Sequence, residues 1–177
     1  MALCLNNGTI YIHIYKTGGE SVRHAMRQIG TCREIGHKHS TANEIKDEVF
    51  YNSSVKFTLV RNPYDWLVSL WWFICKSERH ELHRIIPKNF DSFIEFWVDN
   101  MQPGQKYQHN HQHHFINKDV YIYKLEEIHT IRPTFLPLLK HINTSNHRPY
   151  REYYTNETKA IVSRILKKDI RKFGYEF

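Results

Sequence analysis

Two stretches of the chain gather cations, hydroxyls and glycines where a strand would turn into a helix, and those groups together do the chemistry of anions. The first reads Tyr-Ile-His-Ile-Tyr-Lys-Thr-Gly-Gly-Glu-Ser, residues 11 to 21. Its glycines let the backbone approach an oxyanion closely, Lys16 brings charge, and Thr17 and Ser21 bring hydroxyl donors. The first amides of the helix that follows aim N–H groups at the same spot. Because the lysine precedes the glycines and the Gly-x-x-x-x-Gly-Lys-Ser/Thr spacing is absent, the ATP-hydrolysing P-loop is disfavoured. The second stretch, Phe-Thr-Leu-Val-Arg-Asn-Pro-Tyr-Asp-Trp-Leu-Val-Ser at 57 to 69, sets Arg61 at the C-terminal end of a strand, where parallel sheets bind ligands. Ser69 follows roughly 12 Å further along a helix. A guanidinium fork and a hydroxyl suit a phosphate monoester.

The elements that must position these residues are written in the hydrophobic pattern. Strand alternation runs over 9–15 and 55–60, with a third strand over 120–125. Val22, Ala25, Met26 and Ile29 fall at helical spacing, and Gly30 stands where a helix would stop. Asn62 caps a helix running from Pro63 to about Lys76, with Asp65 in its first turn. Phe90, Phe93, Ile94, Trp97 and Met101 mark another helix, and Thr155 caps a last one. Strands that alternate with helices predict an α/β protein with a parallel sheet. The chain, residues 1–177, reads as one domain.

A formal charge of +7 and 13 histidines predict an anionic partner without choosing among them. Three cysteines with no Cys-x-x-Cys pair argue against a disulfide framework and a zinc knuckle, and suit a reducing compartment. There is neither a signal-peptide pattern nor an apolar run long enough to span a bilayer, so the expectation is a cytoplasmic protein. His109, His111, His113 and His114 lack helical His-x-x-x-His spacing and a neighbouring Cys or carboxylate, so they read as a polar loop and no metal is expected.

At the two opening stretches the chain resembles the sulfotransferases that take their sulfuryl group from 3'-phosphoadenosine 5'-phosphosulfate (PAPS), especially the carbohydrate-modifying branch. Their first motif reads close to His-Ile-Pro-Lys-Thr-Gly-Gly-Thr-Ser; here it is His13 to Ser21, with Tyr15 for the proline and Glu20 for a small hydroxyl residue. Their second reads close to Val-Arg-Asn-Pro-Tyr-Asp-Arg-Leu-Val-Ser; here it is Val60 to Ser69, with Trp66 for the second arginine. The likeness extends more weakly to 39–45, 123–128 and 169–175.

The resemblance implies a P-loop-like, three-layer fold with a mostly parallel central sheet flanked by helices. It implies that Lys16 contacts the phosphosulfate and stabilises the leaving phosphate, and that the loop of Thr17, Gly18, Gly19, Glu20 and Ser21 holds the 5'-phosphate. Arg61 and Ser69 would bind the 3'-phosphate. The reaction would move a sulfuryl group in line to a hydroxyl, expected on a sugar or glycan, and release adenosine 3',5'-bisphosphate. Such a transfer needs a base for the acceptor proton. His39, in the segment resembling the family's His-Ala-Thr-Ala-Arg-Glu-Ile, is the first candidate; His37, two residues away, and Glu20 are the others. The competing readings are a nucleotide or small-molecule kinase, a catalytically inactive relative, and a basic nucleic-acid-binding domain. The donor reading expects no nucleic-acid partner.

Overall fold

The computed structural model describes residues 2–5, 8–37, 39–48, 50–130 and 146–177. They gather into two compact units, one holding the chain up to Arg61 and the stretch that resumes at Gln112, the other holding Asn62–His111 and Ser145–Phe177.

The first unit contains the whole described sheet. Its strands are β1 (Ala2–Leu5), β2 (Thr9–Tyr11), β3 (Cys32–Ile35), β4 (Val55–Val60) and β5 (Val120–Lys124), in the order β3-β1-β2-β4-β5. β4 runs parallel to β2, with Tyr11 opposite Phe57, and to β5, with Val60 opposite Lys124. β1 is antiparallel to both β2 and β3. Helix α1 (Gly19–Ile29) leaves the turn after β2 and lays Val22 and Met26 on Tyr11, Phe57 and Leu59, all fully buried, with Ile128 closing the cluster. The strand expected over 9–15 is regular only to Tyr11, and the ladder continues one residue further through the Ile12 N–H donating to the Phe57 carbonyl at 2.9 Å. β1 and β3 were not foreseen, because four-residue strands without alternation carry little local signal.

The second unit is helical: α2 (Pro63–Lys76), α3 (Phe90–Asn100), a 3-10 turn at Tyr150–Tyr153, α4 (Asn156–Ile165) and α5 (Lys167–Phe173). The Asn62 side chain accepts from the Tyr64 N–H at 3.0 Å and Pro63 opens the helix, as its sequence predicts. α2 and α3 bury Trp66, Leu67, Phe93, Ile94 and Trp97 completely. Asn89 caps α3, and Thr155 caps α4 in a reciprocal box with Thr158. Tyr64, Tyr150, Tyr154 and Phe177 form an aromatic cluster in which Tyr154 donates to the Tyr64 carbonyl at 2.9 Å. Among the described residues no helix is long and apolar enough to cross a membrane.

Candidate functional site

The turn from β2 into α1 is shaped by two steric demands. Gly18 caps the helix in the left-handed region, at φ 80°, and a Cβ there would lie 2.8 Å from Leu125 Cδ1. A Cβ on Gly19 would lie 1.9 Å from His13 Nε2, so the histidine ring occupies the space a side chain would need. Without side chains at these positions the backbone at the start of α1 can be approached closely, and the Val22 N–H donates to the Gly18 carbonyl at 3.3 Å. Thr17 is fully buried and its hydroxyl donates to the Ile14 carbonyl at 2.8 Å. Its one hydroxyl proton therefore braces the loop, and what Thr17 offers an anion is its backbone N–H. Ser21 lies in the first helical turn and is buried. Glu20 follows Gly19 in that turn with its side chain exposed, at the positive end of the helix dipole.

Lys16 stands at φ 63°, a conformation that costs about 1–3 kcal/mol for a residue with a Cβ. Burial, and after it the Arg61 guanidinium, push its ammonium down to about 8. Arg61, half-buried one residue beyond the end of β4, donates from Nη1 to the Lys16 carbonyl at 3.3 Å. Its own backbone is gripped by Gln112: the Arg61 N–H donates to Gln112 Oε1 at 2.9 Å, and Gln112 Nε2 donates to the Arg61 carbonyl at 2.8 Å.

His39 is the other residue with a Cβ at φ 63°. Its Nδ1 donates to the His13 carbonyl at 3.2 Å, which puts the proton of the neutral ring on Nδ1 and the lone pair on Nε2. The ring lies 4.7 Å from that of His13 and edge-on to Tyr15 at 5.5 Å. Tyr15, in the place of the motif's proline, thus packs against His39, and also edge-on against Phe115 at 5.8 Å. The His37 side chain is exposed, while its backbone N–H donates to Ser40 Oγ at 2.7 Å.

Lys16, the loop to Ser21, Arg61 and His39 all belong to the first unit. Ser69 lies in α2 of the second unit and is 1 % exposed, and Trp66, one turn earlier, is part of that unit's core. The four loop histidines are held by ordinary bonds where these are resolved, such as His111 Nε2 to Gln102 Oε1 at 3.0 Å and His109 Nδ1 to the Tyr107 carbonyl at 2.9 Å. Burial lowers the His109 pKa. Among the described residues no group of His, Cys, Asp and Glu is arranged to hold a metal ion. Sequence reasoning missed the grip of Gln112 and the packing of His13. What Gln112 holds could not be read locally, since Arg61 lies 51 residues away.

Three parallel strands whose C-terminal ends carry a glycine turn into a helix and two adjoining cations define an α/β protein with a candidate anion site. The chain belongs to the sulfotransferase family, whose model matches residues 2–128. That membership makes it a transferase of sulfuryl groups to hydroxyl acceptors, in a family that generally draws on PAPS. No curated protein and no solved structure matches it.

Proposed function

We propose that the protein transfers the sulfuryl group of PAPS to a hydroxyl of a carbohydrate, with His39 as the base. One observation supports this most: Lys16 and Arg61, two cations, are held together in a half-buried place where burial, and after it the Arg61 guanidinium, disfavour the Lys16 charge. A polyanion between them turns that repulsion into attraction. The residues fit such a donor. Gly18 and Gly19 put no side chain of their own at the start of α1, so its backbone can approach an oxyanion closely.

PAPS supplies the activated sulfuryl group and a good leaving phosphate. Lys16 stabilises the charge that builds on that phosphate as the bond to sulfur breaks. The amides of Thr17, Gly18, Gly19, Glu20 and Ser21 hold the 5'-phosphate. Arg61 binds the 3'-phosphate, and Ser69 is assigned to it by the motif alone. His39, with its proton on Nδ1, takes the acceptor proton on Nε2, and its bond to the His13 carbonyl keeps that tautomer. Glu20, exposed, and His37, exposed, stand behind His39 as candidates. Three cysteines without a paired motif suit a reducing, cytoplasmic setting.

The test is a thermal-unfolding titration with adenosine 3',5'-bisphosphate against AMP, paired with turnover of labelled PAPS on a panel of sugars. At a hundred times its dissociation constant the bisphosphate stabilises by about 2.7 kcal/mol, and AMP by much less. Equal shifts from the two nucleotides would sink the donor assignment. His39→Asn keeps the shift and loses turnover by at least about a hundredfold; full activity in that variant removes His39 as the base.

A further inference from the structure

We infer that Gln112 is a positioning residue of the anion site: its buried side-chain amide fixes the backbone of Arg61 and, through the Arg61 guanidinium, the backbone of Lys16. The inference rests on the donor reading only for what Arg61 binds.

The β4–β5 ladder reaches its last registered pair at Val60 and Lys124. One residue on, at Arg61, the chain is about to leave the sheet for α2. There the Gln112 amide makes the pair of bonds a neighbouring strand would make, accepting from the N–H at 2.9 Å and donating to the carbonyl at 2.8 Å. A primary amide that is fully buried is costly unless both ends are bonded, so the two bonds hold each other in place. An arginine side chain is a long lever, and a small rotation at its Cα is multiplied at the guanidinium. Fixing both backbone groups of Arg61 therefore fixes where Nη1 meets the Lys16 carbonyl, 3.3 Å away.

Gln112 is well anchored for this task. It opens a 3-10 turn, Gln112–Phe115, whose Phe115 is 1 % exposed and packs edge-on to Tyr15. The Phe115 carbonyl accepts from the Ala42 N–H at 2.8 Å, three residues beyond His39. One turn thus ties down the segment bearing Arg61 by a side chain and the segment bearing His39 by a carbonyl. Those two segments carry the proposed 3'-phosphate ligand and the proposed base.

The test compares the full chain with Gln112→Met, which keeps length and apolar bulk but neither donates nor accepts, and with Gln112→Asn, whose amide is too short to span both groups. Calorimetric affinities for adenosine 3',5'-bisphosphate and AMP give the selectivity for the 3'-phosphate. That selectivity is expected to fall about tenfold in both variants, the size of one hydrogen bond to a charged group. It should fall no further when either is combined with Arg61→Ala. Unchanged selectivity overturns the inference, and so does a parallel loss of both ligands with a lowered unfolding midpoint, which is what a purely structural glutamine would give. If the wild-type protein shows no selectivity the donor reading fails instead, and Gln112 is then judged on the ligand-free protein by the NMR titration of the Lys16 side chain. Burial and, after it, the Arg61 charge lower Lys16, so a midpoint that rises in Gln112→Met sustains the positioning role, and one that stays near about 8 ends it.

Discussion

At Lys16 a left-handed backbone, burial and a neighbouring guanidinium all act against the ligand-free protein. Its charged form is disfavoured by folding, so its pKa drops from 10.5 to about 8. Between those values the unfolded chain holds a proton that the folded chain has shed, and the stability attributable to Lys16 rises with pH across that window. Below it the folded protein carries the whole cost. Lys16→Met is therefore expected to stabilise the protein at pH 7 by on the order of 2 kcal/mol while abolishing bisphosphate binding, and the gain should shrink as the pH approaches 10. Thermal unfolding of both proteins over a pH series measures it; a gain independent of pH would mean that the cost does not come from the ammonium's charge. The sequence made Lys16, Arg61 and His39 legible through residue type and spacing. It did not show that Lys16 and Arg61 share a hydrogen bond, because they are 45 residues apart. Nor did it show the left-handed conformations, which L side chains rarely adopt and which tertiary contacts impose.

At the scale of elements, the β2-to-α1 turn holds its shape by excluding side chains. A Cβ at Gly19 overlaps the His13 ring, whereas at Gly18 it meets the flexible end of Leu125. Gly19→Ala is expected to cost about 2–3 kcal/mol by overpacking and to disturb the backbone carbonyl of His13 that His39 bonds. Adding His13→Ala should recover most of that loss by vacating the space, and denaturant unfolding of the single and double variants measures the coupling. If the double variant is as unstable as the sum of its parts, the contact is not the reason for the glycine. Elements governed by local rules were readable in advance. α2 begins and ends where its Asn62 cap, Pro63 and Lys76 placed it, and β4 coincides with its alternating run. Elements governed by pairing were not: β1 pairs on the edge of β2 and β3 on the edge of β1, and the last helical stretch breaks at Leu166 into α4 and α5 with no proline or glycine to announce it.

Over the whole molecule, composition alone pointed only to the sign of the partner's charge, and the family match narrowed the activity to sulfuryl transfer. The route of the chain carries one more consequence. It leaves the first unit after Arg61 and re-enters at Gln112, and the amide grip joins two residues 51 apart in sequence. Closing a loop of that length costs about 3.5 kcal/mol of chain entropy, which must be met before the contact returns anything. Such a contact is expected to form late in folding, after the local turns and helices. Gln112→Met should then leave the refolding rate within about twofold and speed unfolding several-fold in stopped-flow chevrons, while a slowed refolding limb would put the grip in the nucleus. On that order of events the proposed bisphosphate site would be the last part of the chain to form, so the recovery of ligand binding during refolding would time the completion of the molecule.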